Sequence, residues 1–221
     1  MHTIHKVCVF GNGDDDEKYV SSSGCVLSSI DDADFVLTRG TFAVLFGPED
    51  KDRITFAKSE EFMASNILHE SLQKCADLQL PMLVTNPDFH RPGSGSPMPG
   101  MISDLYSKLI LGQEYDLITS IGKPFREVYN KCFEFLEEER EEGKIIDEKR
   151  ICCIGDSFDH DIVGAVSNKL DCVFIANGVH CDALGTSEGS PVLPTTEKLS
   201  AFQDQYNTLA TPTYTMASFK L

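Results

Sequence analysis

Long hydrophobic runs are what this sequence most plainly lacks. No run is longer than Phe42-Ala-Val-Leu-Phe46, which falls far short of the roughly 20 apolar residues that a membrane-spanning helix needs. Membrane insertion by such a helix is therefore excluded. Basic side chains are also scarce: 19 Lys and Arg stand against 35 Asp and Glu, a net charge of −16. Such a surface repels phosphate backbones and anionic headgroups, which argues against nucleic acid as a partner without forbidding a local basic pocket. Tryptophan is absent, and the eight cysteines (8, 25, 75, 132, 152, 153, 172 and 181) show neither a CxxC pair nor metal-finger spacing. The opening residues MHTIHKVCVFG have no greasy signal core and no Arg-rich amphipathic pattern, so no targeting peptide is visible.

The chain nevertheless has 221 residues, 41% of them apolar, which is enough for one ordinary domain or two small ones with real cores. Several cysteines lie inside apolar runs (VCVF, ICCI, CVFI), where the thiol behaves as a small hydrophobe. They read as reduced core thiols, and a reducing, cytoplasmic compartment is the expectation.

Short apolar runs stop at loop residues, as buried parallel strands do. They are Lys6–Phe10, Asp34–Thr38, Pro81–Thr85, Ile151–Ile154 and Asp171–Ile175. Helical periodicity predicts helices over Ser59–Leu78, Met101–Leu111 and from Pro124 to about Glu142, the last ending in the charge run EEEREEGK. Arg91–Gly100 is a loop by composition. Strands alternating with helices predict an α/β architecture with parallel sheets.

The most informative segment is Ile151-Cys-Cys-Ile-Gly-Asp-Ser-Phe-Asp-His-Asp-Ile-Val-Gly-Ala165. A strand ends at Gly155, and acids follow at 156, 159 and 161. Carboxylates at the carboxyl end of a parallel strand occupy the ligand crevice of an open α/β sheet. Oxygen ligands suit a hard cation such as Mg²⁺, although acids also gather at helix starts to cap them. Upstream, Lys123 precedes Pro124 at a strand-to-helix junction, where it can neutralise a phosphate or a carboxylate at the same crevice.

Together these pieces resemble the haloacid dehalogenase (HAD) superfamily of aspartate-nucleophile phosphohydrolases, in particular the type IIA subgroup with a large α/β cap. Gly122-Lys123-Pro124 is similar to the family's lysine motif, and Gly155-Asp-Ser-Phe-Asp-His-Asp161 to its acidic motif. Cys172–Ile175 leading to Asn177-Gly-Val-His180 continues the likeness. Thr85-Asn-Pro-Asp88 resembles a turn of the cap, with Pro99-Gly100 opening the next helix.

The resemblance implies an α/β cap over 1–120 and the C-terminal half of a Rossmann-type core over 121–221. It implies Lys123, Asp156 and Asp161 as catalytic residues and Asp156 with Asp161 as Mg²⁺ ligands. Asn86, Asp88 and His90 become substrate-binding residues, with a phosphorylated small molecule as substrate. His160 and His180 are expected to serve solvation or packing. Ser157 is set aside as a nucleophile because no His/Asp partnership accompanies it.

The family's Asp-x-Asp-Gly nucleophile motif has no counterpart: Asp14-Asp-Asp16 runs on into Glu-Lys, and Asp32 and Asp34 precede their strand. The chain is therefore expected to have no substantial phosphatase activity. One alternative is a non-catalytic binding or structural subunit, whose incomplete core a protein partner or self-association would cover. Another is a piece of a longer, active enzyme.

Overall fold

A computed structural model describes residues 4–91, 93–112, 116–138, 147–206 and 210–219. Among them, no helix is long and apolar enough to cross a membrane. The chain divides into two compact units, Met1–Ile121 and Gly122–Leu221.

In the first unit the elements run β1 (Lys6–Gly11), α1 (Asp16–Ser22), β2 (Val26–Leu27), β3 (Phe35–Thr38), β4 (Ala43–Leu45) and β5 (Arg53–Thr55). They continue with α2 (Ser59–Met63), α3 (Asn66–Asp77), β6 (Met82–Val84), α4 (Pro99–Leu109) and β7 (Ile118–Ser120). The sheet order is β5-β4-β1-β3-β6-β7, with β2 beside the start of β1. Residues alternate between two apolar layers, as a pleated strand requires. Cys8, Phe10, Val36, Met82 and Val84 pack with Phe62, Leu68, Ile102 and Tyr106. Val7, Val9, Leu37 and Leu45 form the second layer with Val20.

The α/β fold with a parallel sheet is as expected, with two departures. β4 runs antiparallel to β1, and β5 antiparallel to β4. The link 46–52 between β4 and β5 is too short for the crossover that parallel pairing demands. The helix expected over Ser59–Leu78 is broken: α2 ends at Met63, and Ser65 starts α3 by accepting a hydrogen bond from the Leu68 backbone N–H at 3.3 Å. A serine at that position satisfies an N–H that continuous helix would bond internally, so two helices replace one.

The second unit contains α5 (Arg126–Glu138), β8 (Cys152–Gly155), α6 (Val163–Ser167), β9 (Asp171–Ile175), α7 (Thr196–Asp204) and β10 (Tyr214–Met216). The end of the EEEREEGK run, from residue 139, lies outside the described residues. The parallel sheet has the order β10-β9-β8, leaving β8 and β10 at its edges. Cys172, Phe174, Phe158, Ile162, Leu184 and Phe202 make its core. Phe158 meets Phe174 and Phe202 edge-on at 5.6 and 5.7 Å. β8 departs from the expectation of burial on both faces: Cys152 and Ile154 are exposed, because this edge strand has only one face packed on the core.

All eight cysteines are free, and Cys8, Cys75 and Cys172 are buried. Burial pushes the Cys75 thiol up to about 12. Ser65→Ala is expected to lower stability by about 1 kcal/mol through loss of the cap, measured as a lower urea midpoint with an unchanged slope.

Candidate active site

The site is built on the carboxyl end of β8. After Gly155 the chain makes a wide π-type turn over Phe158–Ile162. The Asp161 and Ile162 N–H groups both donate to the Ser157 carbonyl, at 2.8 and 3.3 Å. This turn folds the Asp161 side chain back against Gly155. A Cβ at residue 155 would lie 2.2 Å from Asp161 Cγ, so the close approach requires glycine. Asp161 is buried, and its two oxygens are each engaged. Oδ2 accepts from the Ser157 N–H at 3.0 Å, and Oδ1 accepts from Lys123 Nζ in an ion pair. A buried carboxylate needs such partners, since an unpaired charge there is costly.

Asp156, the next residue after Gly155, is half-buried. Its Oδ2 accepts from the Val179 N–H at 3.1 Å, and a Cβ on residue 178 would sit 2.2 Å from that oxygen. Two glycines thus cradle two carboxylates. The lysine lies just before α5, and its side chain remains half exposed. A groove of 250 Å³ lined by Lys123, Val128, Tyr129, Cys132, Cys153, Ile154 and Asp161 runs alongside.

Chemically, the arrangement puts one ammonium and two carboxylates at a strand end. Among the described residues no group of three His, Cys, Asp or Glu could hold a metal ion. Mg²⁺ asks for less, because it binds through one or two carboxylates and completes its octahedron with water and phosphate. The donor set fits that weak demand: Asp156 keeps one oxygen outside the hydrogen bond from Val179, whereas both oxygens of Asp161 already have donors.

Three further groups surround the turn. His180 Nε2 accepts from the Phe158 N–H at 3.0 Å, so the neutral ring carries its proton on Nδ1. Its ring packs on Phe202 at 4.9 Å, and burial lowers its pKa against the smaller opposing pull of Asp159 and Asp156. Ser157 Oγ lies 2.8 Å from His160 Nδ1. The serine therefore has a histidine neighbour that sequence reasoning denied it, but the contact is between residues of one turn. The Tyr206 hydroxyl is pushed up to about 12, by burial first and then by Asp159.

Lys123 and Asp161 are thus brought into contact, with Asp156 at the same strand end. Asn86, Asp88 and His90 belong to the first unit. There Asn86 Oδ1 accepts from the Asp88 N–H at 3.1 Å, forming an Asx turn, and the Asp88 carbonyl accepts from the Gly100 N–H at 2.9 Å. His90 is exposed and forms an isolated bridge with Pro97.

Sequence reasoning overlooked one buried charge cluster in that unit. The fully buried Asp16 accepts from the N–H groups of Asn12 and Gly13 at 3.1 and 2.6 Å and from Arg39 at 2.5 Å. Arg39 also pairs with Asp15, which it holds below the usual carboxylate range, and stacks on Tyr19 at 4.4 Å. The signal was the Gly-Asn-Gly turn ahead of the acids. With its charges satisfied internally, the cluster ties the ends of β1 and β3 together.

Comparisons with known proteins bear on the fold and on the second unit's sequence. Residues 120–199 match the family model described as HAD-hydrolase-like. No protein with a curated description matches the chain in sequence. Among solved structures it is similar to a p-nitrophenyl phosphatase from Archaeoglobus fulgidus. That likeness has 19% identity and a TM-score of 0.62, covering 97% of this chain and 64% of the other. It is also similar to a haloacid dehalogenase-like hydrolase from Brucella suis, with 21% identity, a TM-score of 0.60, and 96% and 65% coverage. A double mutant of a thermostable NPPase from Geobacillus stearothermophilus gives 18%, 0.55, and 95% and 63%. The chain therefore spans about two thirds of the length of the structures it matches.

Two outcomes test the local architecture. Gly155→Ala is expected to cost about 2 kcal/mol or more by forcing Asp161 away, read as a lower unfolding midpoint. For His180, a lowered folded pKa means that stability is fully present above the ordinary value near 6.5 and declines as pH falls through the folded value. Urea midpoints are expected to fall between pH 7.5 and 5, and His180→Gln to flatten that decline.

The family-model match covers 80 of the 221 residues, almost all of them in the second unit, and the fold shared with these solved structures runs nearly the length of the chain.

Proposed function

We propose that this protein of the HAD-like phosphatase class keeps the charge-holding side of a Mg²⁺-dependent phosphoester site and, in these 221 residues, does not turn phosphoesters over. The observation that carries the reading is what stands beside Asp156. β9, the strand paired with β8, leads into Asn177, an amide that donates to the Ser190 and Val192 carbonyls at 2.9 and 2.7 Å. That position supplies no attacking carboxylate.

Lys123 is assigned the negative charge that spreads over a phosphoryl group, and Asp161 holds the lysine in place. Asp156 is assigned the cation. Mg²⁺, when bound, supplies charge neutralisation at phosphate oxygens. Asn86, Asp88 and His90 are proposed as substrate-binding residues for a phosphorylated small molecule. Covalent phosphoryl transfer needs a nucleophile and an acid–base partner acting jointly, and losing such a unit removes most of an acceleration of about a million-fold or more. The Ser157–His160 contact does not replace it, since a serine nucleophile also needs its base oriented by a third group.

The test uses the 221-residue chain with p-nitrophenyl phosphate, the substrate named for one structural neighbour. Hydrolysis in Mg²⁺ is expected to match buffer alone; turnover that Asp156→Asn abolishes would overturn the inactivity. Binding is tested separately. Mg²⁺ with inorganic phosphate at about ten times its Kd is expected to raise Tm by roughly 2–4 °C. Asp156→Asn and Lys123→Ala should each remove that rise. No rise at any concentration would sink the charge-holding assignment.

A further inference from the structure

A groove in the first unit holds a polar group that the fold leaves unsatisfied. The short turn Ile30–Asp32 and helix α3 border it, with Phe46 after β4 at its side, and its volume is 370 Å³. Ile67, Glu70, Ser71 and Lys74 line it at three- and four-residue spacing, as one side of a helix does. Ile30 is buried, and Phe46 and Ile67 are half-buried against the core, so the floor is apolar. Ser71 is 6% exposed, yet its hydroxyl has no hydrogen-bond partner among the described residues. A hydroxyl so buried costs free energy until it is bonded.

The charges at the rim select the ligand. Lys74 Nζ is already paired with Asp31 Oδ2 at 2.5 Å. That leaves Asp31 Oδ1 and the carboxylate of Glu70 without a partner among the described residues. The groove is thus negative by one charge, in a chain whose net charge of −16 already concentrates cations around it. An anion would have to displace Asp31 from Lys74 and face Glu70. A primary ammonium instead brings three N–H donors, one for each acceptor in want of a donor: Ser71 Oγ, Asp31 Oδ1 and Glu70.

We propose that this groove binds a small primary amine with a compact apolar body. The ammonium lies among Glu70, Asp31 and the Ser71 hydroxyl, and the apolar body covers Phe46 and Ile67. A few polar groups over an apolar floor is the usual make-up of a small-molecule site, and the volume is of the usual order. The site uses none of Lys123, Asp156 and Asp161, so the proposal is independent of the phosphate-site reading.

Amide NMR of the full 221-residue chain, titrated with phenethylamine at neutral pH, tests it. Saturable shifts are expected at residues 29–31, 46 and 67–74, with a dissociation constant on the order of a millimolar. Phenethyl alcohol keeps the shape without the charge, and the trimethylammonium derivative keeps the charge without N–H donors. Each should bind about fivefold or more weakly than the amine. Glu70→Gln, at an exposed position, should weaken amine binding about fivefold, and Ser71→Ala about threefold. Glu17→Gln removes the same charge from α1, which packs on the other layer of the sheet, and should leave the affinity unchanged. Far-UV circular dichroism checks that the variants fold, and Glu70→Gln alone decides should Ser71→Ala unfold. No saturable shift at these residues overturns the proposal. So does an alcohol or trimethyl derivative that binds as tightly as the amine, or an affinity that Glu70→Gln leaves unchanged.

Discussion

The second unit depends on the burial of one carboxylate. Asp161 is 8% exposed, and a charge so placed is tolerable only with donors on both oxygens. One donor, the Ser157 N–H, is available only if the chain after β8 takes the wide turn. The other, Lys123, comes from the segment leading into α5. Satisfying this single group therefore ties the end of β8, the turn and the approach to α5 into one corner. Gly155 is the steric counterpart, because no side chain fits where the carboxylate lies.

Asp156 gains its character from the same corner. With Asp161 turned inward against Lys123, Asp156 is left at the strand end. There Val179 holds one of its oxygens and Gly178 leaves room for it. Two acids five residues apart thus differ through environment: one is buried and anchors a lysine, the other is half-buried and keeps one oxygen outside its hydrogen bond from Val179. Such division of labour between carboxylates is what local burial and partners produce.

Unit 2 also shows how an edge changes a strand's character. Ile151–Ile154 and Asp171–Ile175 read alike, as continuous apolar runs. On the face that Ile154 shares with its register partner Val173, β9, between two neighbours, keeps Val173 half-buried, whereas β8, at the margin, leaves Cys152 and Ile154 exposed. Burial on the second face depends on what lies alongside, which a local pattern does not encode.

Much of the architecture was legible because it follows from local rules. Apolar runs ending in Gly or Asn marked β1, β3, β6, β8 and β9, and three- and four-residue spacing marked α3, α4 and α5. The three-residue strands β4 and β5 escaped, since periodicity needs more residues than they offer, and the break at Ser65 hid within an unbroken helical pattern. At the site, Lys123, Asp156 and Asp161 were nameable because residue type and spacing carry their chemistry. The Asp161–Lys123 pair, the tautomer of His180 and the Asp16–Arg39 cluster were not, because each depends on backbone groups or side chains brought together from separate segments. By itself the sequence determined the α/β alternation and which acids and lysine stand at a strand end, since these are matters of composition and spacing. Tertiary structure alone decided which acid was buried, which stayed at the strand end and which apolar faces lay uncovered, because desolvation and partners exist only once distant segments pack.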